Sequence, residues 1–413
     1  MAIVRPFAGY RPEGTVVSKV AALPYDVYNR QEAKAEVEKE PQSFLRIDRP
    51  ETNFDDDFDM YSEEAYNKAS ELLHTAFEDG TYIHDDKPVY YIYELIMDGR
   101  SQTGIVAAAS IDDYQNNIIK KHENTLAAKE QDRINHIYTC NAQTGPIFLA
   151  YRDRDKINAV VAKVKATPKT YGFTCDDGVT HNVWVITDAE DIEVIRTEFG
   201  DENRIYIADG HHRAASAVKV GLRKREENPG YTGEEEFNFF LSVLFPESEL
   251  KILPYNRVVK DLKGMSKDEF FTELSKVYDI KEVSAAYQPE EKGYVGMFIE
   301  GSWYELKIHD ELKCDDPVEG LDVSLLQKHV LNPILGIEDP RTDSRIAFVG
   351  GIRGLGELER RVNTDMKVAF SMYPTSIGEL FDVADAGLLM PPKSTWFEPK
   401  LRSGIFIHRL DEE

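Results

Sequence analysis

A short apolar run, residues 205–208, leads into Asp209 and Gly210, and two histidines, an arginine and a run of small residues follow. This order predicts a buried strand, a tight turn and a helix. The turn brings His211, His212 and Arg213 to the first turn of the helix. A helix N-terminus exposes unpaired N–H groups and the positive end of the dipole, so it attracts anions. We therefore predict a phosphate site at residues 209–213.

The charge of the chain limits the partners that it can bind. The 413 residues carry a formal net charge of −25, which repels nucleic-acid backbones and anionic lipids. We therefore expect small-molecule partners, and neither nucleic acid nor membrane. Three cysteines without CxxC spacing indicate a reducing compartment, and the first residues lack an apolar signal segment, so we expect a cytoplasmic location.

Helix and strand patterns alternate along the chain, which predicts a mixed α/β fold. Apolar residues at helical spacing predict a helix over residues 63–77. Two strand patterns, 89–95 and 104–109, flank the turn-forming pair Asp98-Gly99 and predict a hairpin.

A second region gives clear element signals and a domain boundary. Residues 125–139 predict a helix with Thr125 as its cap, and a further helix is expected near 321–335. Residues 260–312 show one helix and three strands without any motif residue. We therefore predict a core of residues 1–259 and 313–413 with a small α+β module inserted at 260–312.

Basic residues cluster on the helix predicted at 125–139. Lys129, Arg133 and His136 lie at positions i, i+4 and i+7, on one face. Such a stripe is commonly a solvated face, but in a chain with this excess of negative charge it is also a candidate anion site. Just before it, His122 and Glu123 are a candidate binding residue and a candidate general base.

The same segment carries part of a zinc-binding motif. His122-Glu123 resembles the start of a zincin motif, but residue 126 is leucine, so the second ligand of that motif is missing. A zinc protease is excluded on this ground. A metal hydrolase held by His211 and His212 is disfavoured, because the sequence offers no evident third ligand.

Three other loops carry candidate residues. Glycines at 350–356 surround Arg353 and would allow the backbone to approach a phosphate closely. Their spacing matches neither the dinucleotide fingerprint nor the P-loop pattern, and a plain turn with Arg353 exposed is equally consistent with them. Asp26 follows Pro-Tyr and is either a cleft carboxylate or a turn former. Lys393 lies in a proline-rich loop that also contains two aromatic residues. Either Lys393 binds an anion, or the aromatic residues anchor the loop and the lysine has no binding role.

Taken together, these motifs resemble the DUF1015 family nearly from end to end. The matching pieces are Arg5-Pro6-Phe7, Pro24-Tyr25-Asp26-Val27, Ser43-Phe44-Leu45, His122-Glu123-x-Thr125, Asp132-Arg133, Pro146-Ile147-Phe148, the motif from Ala208 to Arg213, and the loop from Lys393 to Gly404. The motif Asp209-Gly210-His211-His212-Arg213 is also similar to the phosphate-binding motif of the ParB-like fold, a superfamily with nucleotidases, sulfiredoxin and free L-serine kinases. The resemblance implies a ParB-like phosphate-binding core with additional α+β subdomains.

The resemblance also implies phosphoryl transfer to the hydroxyl of a small metabolite, with free L-serine as first choice. Pyrophosphate or a nucleotide such as ATP or ADP would be the donor, with Mg²⁺ as the cofactor. Glu123 or Asp26 would accept the hydroxyl proton, and Asp209, the third expected catalytic residue, would help to hold Mg²⁺ or a histidine. Phosphate or substrate binding is expected for Gly210, His211, His212, Arg213, His122, Arg133, Arg353 and Lys393. The alternatives are a ParB-like nucleotide-binding regulator without kinase activity and a scaffold with structural histidines.

Overall fold

The computed structural model describes residues 1–411, and the chain divides into two compact units. The first unit is Met1–Leu250 with Pro399–Glu413, and the second is Lys251–Glu398. The second unit is larger than the module predicted at 260–312. The boundary differs because strands before and after that segment belong to the same sheet as its own strands, joined to them through the pairing of Val368–Met372 with Tyr294–Ile299.

The first unit is built on a mixed sheet, which has nine strands among the described residues. Strand Ile205–Asp209 pairs parallel to one neighbour and antiparallel to the other. The order across the sheet is Ile119–Lys120, Ile205–Asp209, Ile147–Tyr151, Phe239–Pro246, Arg100–Ser110, Tyr90–Met97, Thr180–Ile186 and Tyr171–Thr174, with Val4–Arg5 also on Arg100–Ser110.

Helices and short strand pairs surround this sheet. The α-helices of the first unit are Val17–Val20, Arg30–Lys39, Leu45–Asp48, Glu63–Glu78, Ile111–Gln115, Ala127–Cys140, Asp155–Lys165, Ala189–Gly200 and His211–Glu227. Short 3-10 turns are Tyr25–Val27, Pro50–Asn53, Glu236–Asn238 and Glu247–Glu249. Two-stranded pairs join Tyr10–Pro12 to Tyr82–His84 and Ala142–Gln143 to His408–Arg409.

Local sequence explains several of these elements. The hairpin of Tyr90–Met97 and Arg100–Ser110 closes through Asp98 and Gly99, which both have positive φ and match the right-handed twist of the strands. Helix Glu63–Glu78 begins after Ser62, whose hydroxyl accepts the Ala65 N–H. Both predictions from the sequence are confirmed.

The predicted cap at Thr125 is wrong. Helix Ala127–Cys140 has Leu126 at its N-cap position without a side-chain cap. The Thr125 hydroxyl instead donates to the carboxylate of Glu130, one turn into the helix. The helix therefore exists as predicted, but the threonine ties the preceding loop to the helix side.

The second unit contains an antiparallel sheet with helices packed against it. Its strands, in order, are Tyr278–Val283, Ser302–Ile308, Tyr294–Ile299, Val368–Met372, Tyr255–Val259 and Ile346–Gly350, and Ile252–Leu253 pairs separately with Trp396–Phe397. Its helices are Lys267–Leu274, Asp322–Leu326, Gly354–Thr364 and Ile377–Asp385, with 3-10 turns at Asp310–Leu312 and Gly351–Arg353. The continuous helix expected near 321–335 is instead a short α-helix followed by a π-helical turn, Gln327–Leu331.

The mixed α/β fold predicted from alternating patterns is therefore confirmed. The apolar core of the first unit includes Ile205, Ile207, Ala214 and Val218, so the strand and the helix that flank the Asp-Gly turn are both anchored in it. Nowhere in residues 1–411 does a helix have both the length and the apolar composition of a membrane span.

Candidate functional site

The strand, turn and helix predicted at residues 205–218 are present. Strand Ile205–Asp209 shifts register against its antiparallel neighbour between Ile207 and Asp209, an irregularity that re-aims side chains at a strand end. Gly210 follows with φ of 91°, in the left-handed region that favours glycine, and helix His211–Glu227 begins directly after it. The first N–H groups of this helix have no acceptor within the helix and face the turn.

Arg213 folds back over this turn. A β-carbon built on Gly210 would lie 3.2 Å from both Nε and Nη2 of Arg213, so the guanidinium packs directly on the glycine. Its Nη1 donates a 2.6 Å hydrogen bond to the Pro146 carbonyl oxygen. The backbone carbonyl and the glycine surface hold the cation beside the start of the helix.

Asp209 is paired with a lysine from the end of the chain. Its Oδ2 accepts a 2.9 Å hydrogen bond from Lys400 Nζ, and its Oδ1 accepts the Gly210 N–H at 2.8 Å. Burial by itself would raise the pKa of this carboxyl, but the Lys400 ammonium and the Arg213 guanidinium outweigh burial and hold the pKa well below its usual range. Asp209 is therefore ionised, and two cations flank it.

His211 packs against His122, which comes from a segment 89 residues earlier. The two rings meet edge to face with centroids 4.5 Å apart. Burial lowers the pKa of His122 to about 4, and burial together with the neighbouring His122 ring lowers the pKa of His211 well below its usual value. Both imidazoles are neutral at pH 7, so the positive charge at this helix start comes from Arg213 and Lys400.

Glu123 and His212 complete the helix start. Glu123 Oε2 lies 3.9 Å from His211 Nδ1, and the side chain of Glu123 is 42% exposed. His212 Nε2 accepts a 2.9 Å hydrogen bond from the Leu126 N–H. The loop before helix Ala127–Cys140 is therefore attached to the phosphate motif through both histidines of the motif.

One group of side chains near the helix start has the composition of a metal site. Single ligand atoms of His122, Glu123 and His211 lie within 4.8 Å of one another. The sequence did not reveal this group, because two of its members are adjacent in the chain and the third is far away. The expected metal ligand, Asp209, lies outside this group, with its carboxylate engaged by Lys400 and Gly210. Its metal role stays a prediction.

Arg133 and Asp26 line a cavity of about 240 Å³ in the same unit. Arg133 is buried, its Nη2 lies 2.9 Å from Asp132 Oδ2, and its guanidinium carbon lies 4.0 Å from the ring centroid of Tyr25. Lys129 also lines this cavity, and its side chain is exposed. Residues singled out in two separate motifs of the sequence, Asp26 in one and Lys129 with Arg133 in the other, are therefore brought to one cavity.

A smaller interior cavity of about 30 Å³ is lined by Arg213 and also by Tyr25 and Arg133. This volume is enough for about one water molecule. His136 lines it too, and its Nε2 is 2.9 Å from the Ile47 carbonyl oxygen. The face carrying Arg133 and His136 is therefore buried, whereas the sequence left open whether it is solvated. Tyr25 and Arg133, which are in contact, line both this cavity and the larger one.

Arg353 and Lys393 belong to the second unit. Arg353 is exposed at the end of the 3-10 turn Gly351–Arg353. Lys393 has a positive φ, and its Nζ lies 5.6 Å from the ring centroid of Tyr255. Their predicted anion-binding roles stay predictions.

Lys400 is the residue that the sequence reasoning missed. It lies seven positions after Lys393 in the same proline-rich loop, and the loop alone does not distinguish the two lysines. Only the fold shows that Lys400, 191 residues after Asp209, forms the ion pair at the motif. The sequence offered one signal for Lys400, its position directly after Pro399, and that signal is too weak to predict the ion pair.

The profile of the family described as "Protein of unknown function (DUF1015)" matches residues 4–324, more than half of the sequence. The chain belongs to the DUF1015 family. The resemblance inferred from the separate motifs is thereby confirmed. None of the curated proteins matches this DUF1015 chain.

Several solved structures resemble the chain at low identity. SbnI with C-terminal truncation from Staphylococcus aureus superposes with a TM-score of 0.39 at 11% identity, covering 72% of this chain and 85% of that chain. A free serine kinase in complex with AMP gives a TM-score of 0.35 at 13% identity, over 72% and 91% of the two chains. A conserved hypothetical protein from Pyrococcus furiosus gives 0.35 at 15% identity, over 73% and 94%. Likenesses this weak identify neither a substrate nor a reaction for this chain.

Proposed function

We propose that this protein is a phosphotransferase that transfers a phosphoryl group to the hydroxyl of a small metabolite. One observation carries the proposal: in a chain of net charge −25, Arg213 and Lys400 place two cations at the start of helix His211–Glu227, whose first N–H groups have no acceptor within the helix. A guanidinium binds two oxygens of a phosphate at once, and the helix N–H groups bind the remaining oxygens. Phosphate is therefore the ligand that this arrangement fits best.

Phosphoryl transfer needs positioning and charge neutralisation more than covalent chemistry. Arg213 and the N–H groups of His211 and His212 would bind the donor phosphate. As a neutral ring, His211 would act through a hydrogen bond and not through charge. Glu123 and Asp26 are the two carboxylates proposed to accept the proton of the attacking hydroxyl.

Mg²⁺ would enter this site together with the donor. Mg²⁺ in phosphoryl-transfer sites is held by one or two carboxylates and by the substrate phosphates. Asp209 is ionised and fits that description, although Lys400 occupies its Oδ2. When bound, the ion would supply charge neutralisation between donor phosphates, and Lys400 would then compete with it for the carboxylate.

Free L-serine as acceptor, and pyrophosphate or a nucleotide as donor, come from the motif resemblance alone. The direct test incubates the purified protein with Mg²⁺, serine and either pyrophosphate, ATP or ADP, and measures O-phosphoserine by mass spectrometry. Serine phosphorylation with one of these donors is the expected result. The absence of product from every donor, with a panel of hydroxyl acceptors, would refute the transferase.

Variants of Arg213 test the phosphate site itself. Because a hydrogen-bonded charged group contributes about 1.5–3 kcal/mol, Arg213→Ala should raise the KM for the donor about 10- to 100-fold. Arg213→Lys should recover little of the loss, since an ammonium cannot bind two oxygens in a planar fork. Arg223→Ala, an exposed arginine three turns along the same helix, is the matched control and should leave the KM unchanged.

The alternative is a nucleotide-binding regulator without transferase activity. It predicts nucleotide binding that Arg213→Ala abolishes, together with no phosphoserine under any condition. Titration calorimetry with ADP and with pyrophosphate, run beside the product assay, separates the two functions.

A further inference from the structure

His122, Glu123 and His211 form a cluster that the phosphate site does not by itself require. Their ligand atoms converge from two elements, the segment before helix Ala127–Cys140 and the start of helix His211–Glu227. His122 and His211 are 2% and 6% exposed, whereas the carboxylate of Glu123 reaches the surface. The cluster is therefore a buried pair of imidazoles with one face open toward solvent.

The buried ring nitrogens of His122 are the feature that points to a ligand. Both of its ring nitrogens are buried, and neither has a hydrogen-bond partner, although the ring contacts the Ile207 carbonyl without hydrogen-bond geometry. Buried polar groups in proteins are almost always satisfied, and an exception calls for an unseen partner such as an ion.

The donor set selects the kind of ion. Two imidazoles and one carboxylate suit the first-row divalent transition ions, such as Zn²⁺, Mn²⁺ and Fe²⁺, whereas Mg²⁺ prefers oxygen ligands alone. Three protein ligands leave open coordination positions, as in sites where an ion also binds a substrate. The separation of up to 4.8 Å between ligand atoms requires only a small closure of the side chains around an ion.

We propose that His122, Glu123 and His211 bind a divalent transition-metal ion, with Zn²⁺ preferred over Mg²⁺. An ion held by these residues would lie beside the N-terminus of helix His211–Glu227, and a donor phosphate would bind at its open positions. That second role, in which the ion holds a donor phosphate, rests on the proposed function, whereas metal binding itself does not. A carboxylate that binds the ion through one oxygen keeps the other for a hydroxyl proton, so Glu123 can serve in both ways.

The test is metal titration of the full chain without substrates. The background carries Cys314→Ser, which removes an exposed thiol of the kind that commonly ligates Zn²⁺. After treatment with a chelator, calorimetry with Zn²⁺ should show one ion per chain, and Mg²⁺ should bind at least about 100-fold more weakly. Co²⁺ in place of Zn²⁺ should give a visible absorption band that reports nitrogen and oxygen ligands.

Glu123→Gln is the decisive variant, because its side chain is partly exposed and the change is isosteric. Loss of a residue that only hydrogen-bonds to a metal ligand lowers metal affinity about 10- to 100-fold. Loss of the ligand Glu123 itself should therefore weaken Zn²⁺ binding by about 100-fold or more. Glu64→Gln, an exposed glutamate on helix Glu63–Glu78, is the control and should bind Zn²⁺ as the parent does. His211→Asn should also abolish binding, with circular dichroism to verify that it is folded.

Three results would overturn the proposal. These are no Zn²⁺ binding by the parent protein, equal binding by Glu123→Gln, and loss of the ion in Asp209→Asn when Glu123→Gln retains it. The last result would move the metal to the carboxylate expected from the sequence. Failure of the transferase assay leaves these measurements unaffected, because no substrate is present in them.

Discussion

At the scale of single residues, the basic side chains of one motif differ in whether they carry a charge. The motif Asp209-Gly210-His211-His212-Arg213 reads as a group of three basic side chains, but burial keeps His211 neutral. The cations are Arg213, packed on Gly210, and Lys400, paired with Asp209. The imidazole of His211 and the guanidinium of Arg213, two positions apart, therefore differ in charge because the first is desolvated and the second remains charged.

Gly210→Ala tests whether the packing of Arg213 on the glycine matters. The left-handed conformation costs an L-residue about 1–2 kcal/mol, so the variant should be less stable by that amount in denaturant unfolding. The new methyl group would press on the Arg213 guanidinium, which should also raise the KM for the phosphoryl donor.

Gly178→Ala is the matched control, because Gly178 has φ of 80° and open space around its α-carbon. It should lose similar stability and leave the donor KM unchanged. If both variants change KM equally, the contact between Gly210 and Arg213 has no role in binding.

At the scale of elements, one carboxylate joins three segments. Glu130, in helix Ala127–Cys140, accepts hydrogen bonds from the Thr125 hydroxyl and from the Lys219 ammonium of helix His211–Glu227. Its backbone carbonyl also accepts the Ser216 hydroxyl at 3.1 Å. The helix that presents the phosphate motif is thereby aligned with the helix that carries Arg133.

Glu130→Gln should loosen this alignment. The amide keeps the shape but loses the charge that Lys219 pairs with, and since Lys219 is half-exposed the loss should be about 1–2 kcal/mol of unfolding free energy. Phosphoryl transfer should also slow, because Glu123 and the helix start no longer keep a fixed distance. Glu226→Gln, an exposed position near the end of helix His211–Glu227, serves as the control. Unfolding curves of the two variants that coincide would contradict the role of Glu130.

At the scale of the whole molecule, neutral histidines are buried deep in an acidic protein. His181 is fully buried, its Nδ1 lies 2.8 Å from the Tyr93 hydroxyl, and Arg402 Nε donates to its Nε2 at 3.3 Å. Burial, together with the Arg402 charge, lowers the pKa of His181 to about 3. Protonation of this ring in the folded protein would remove the Arg402 hydrogen bond and set two cations together.

His181 should therefore make folding sensitive to acid. Its folded pKa, about 3, is below its ordinary value of 6.5, so its contribution is complete above pH 6.5 and is lost as the pH falls toward 3. The stability advantage of the parent over His181→Gln should shrink by about 1.4 kcal/mol per pH unit below pH 6.5. Unfolding curves of the parent and of His181→Gln at several pH values measure this difference. The effect of net charge on stability is common to both proteins, so it cancels in the difference.

His74→Gln is the control for the pH series, because His74 is exposed on helix Glu63–Glu78. Both variants are measured over the same pH range. A difference between His181→Gln and the parent that does not change with pH would contradict the role of His181.

Much of the fold follows from local patterns. The Asp98-Gly99 hairpin, helix Glu63–Glu78 and the strand and helix around Gly210 all depend on residues that are neighbours in the chain. The inserted module was underestimated, because its limits depend on which distant strands complete the sheet. Pairing of Tyr255–Val259 with Ile346–Gly350 has no local signature, and it extends the second unit to Lys251–Glu398.

The candidate site divides in the same way. The order of residues specified the turn, the glycine and the arginine, because turn geometry and helix starts are set by side chains a few positions apart. Folding decided that His122 meets His211, that Lys400 and not Lys393 pairs with Asp209, and that the imidazoles lose their charge. Contacts across many residues and removal from water are products of packing, and no short stretch of sequence contains them.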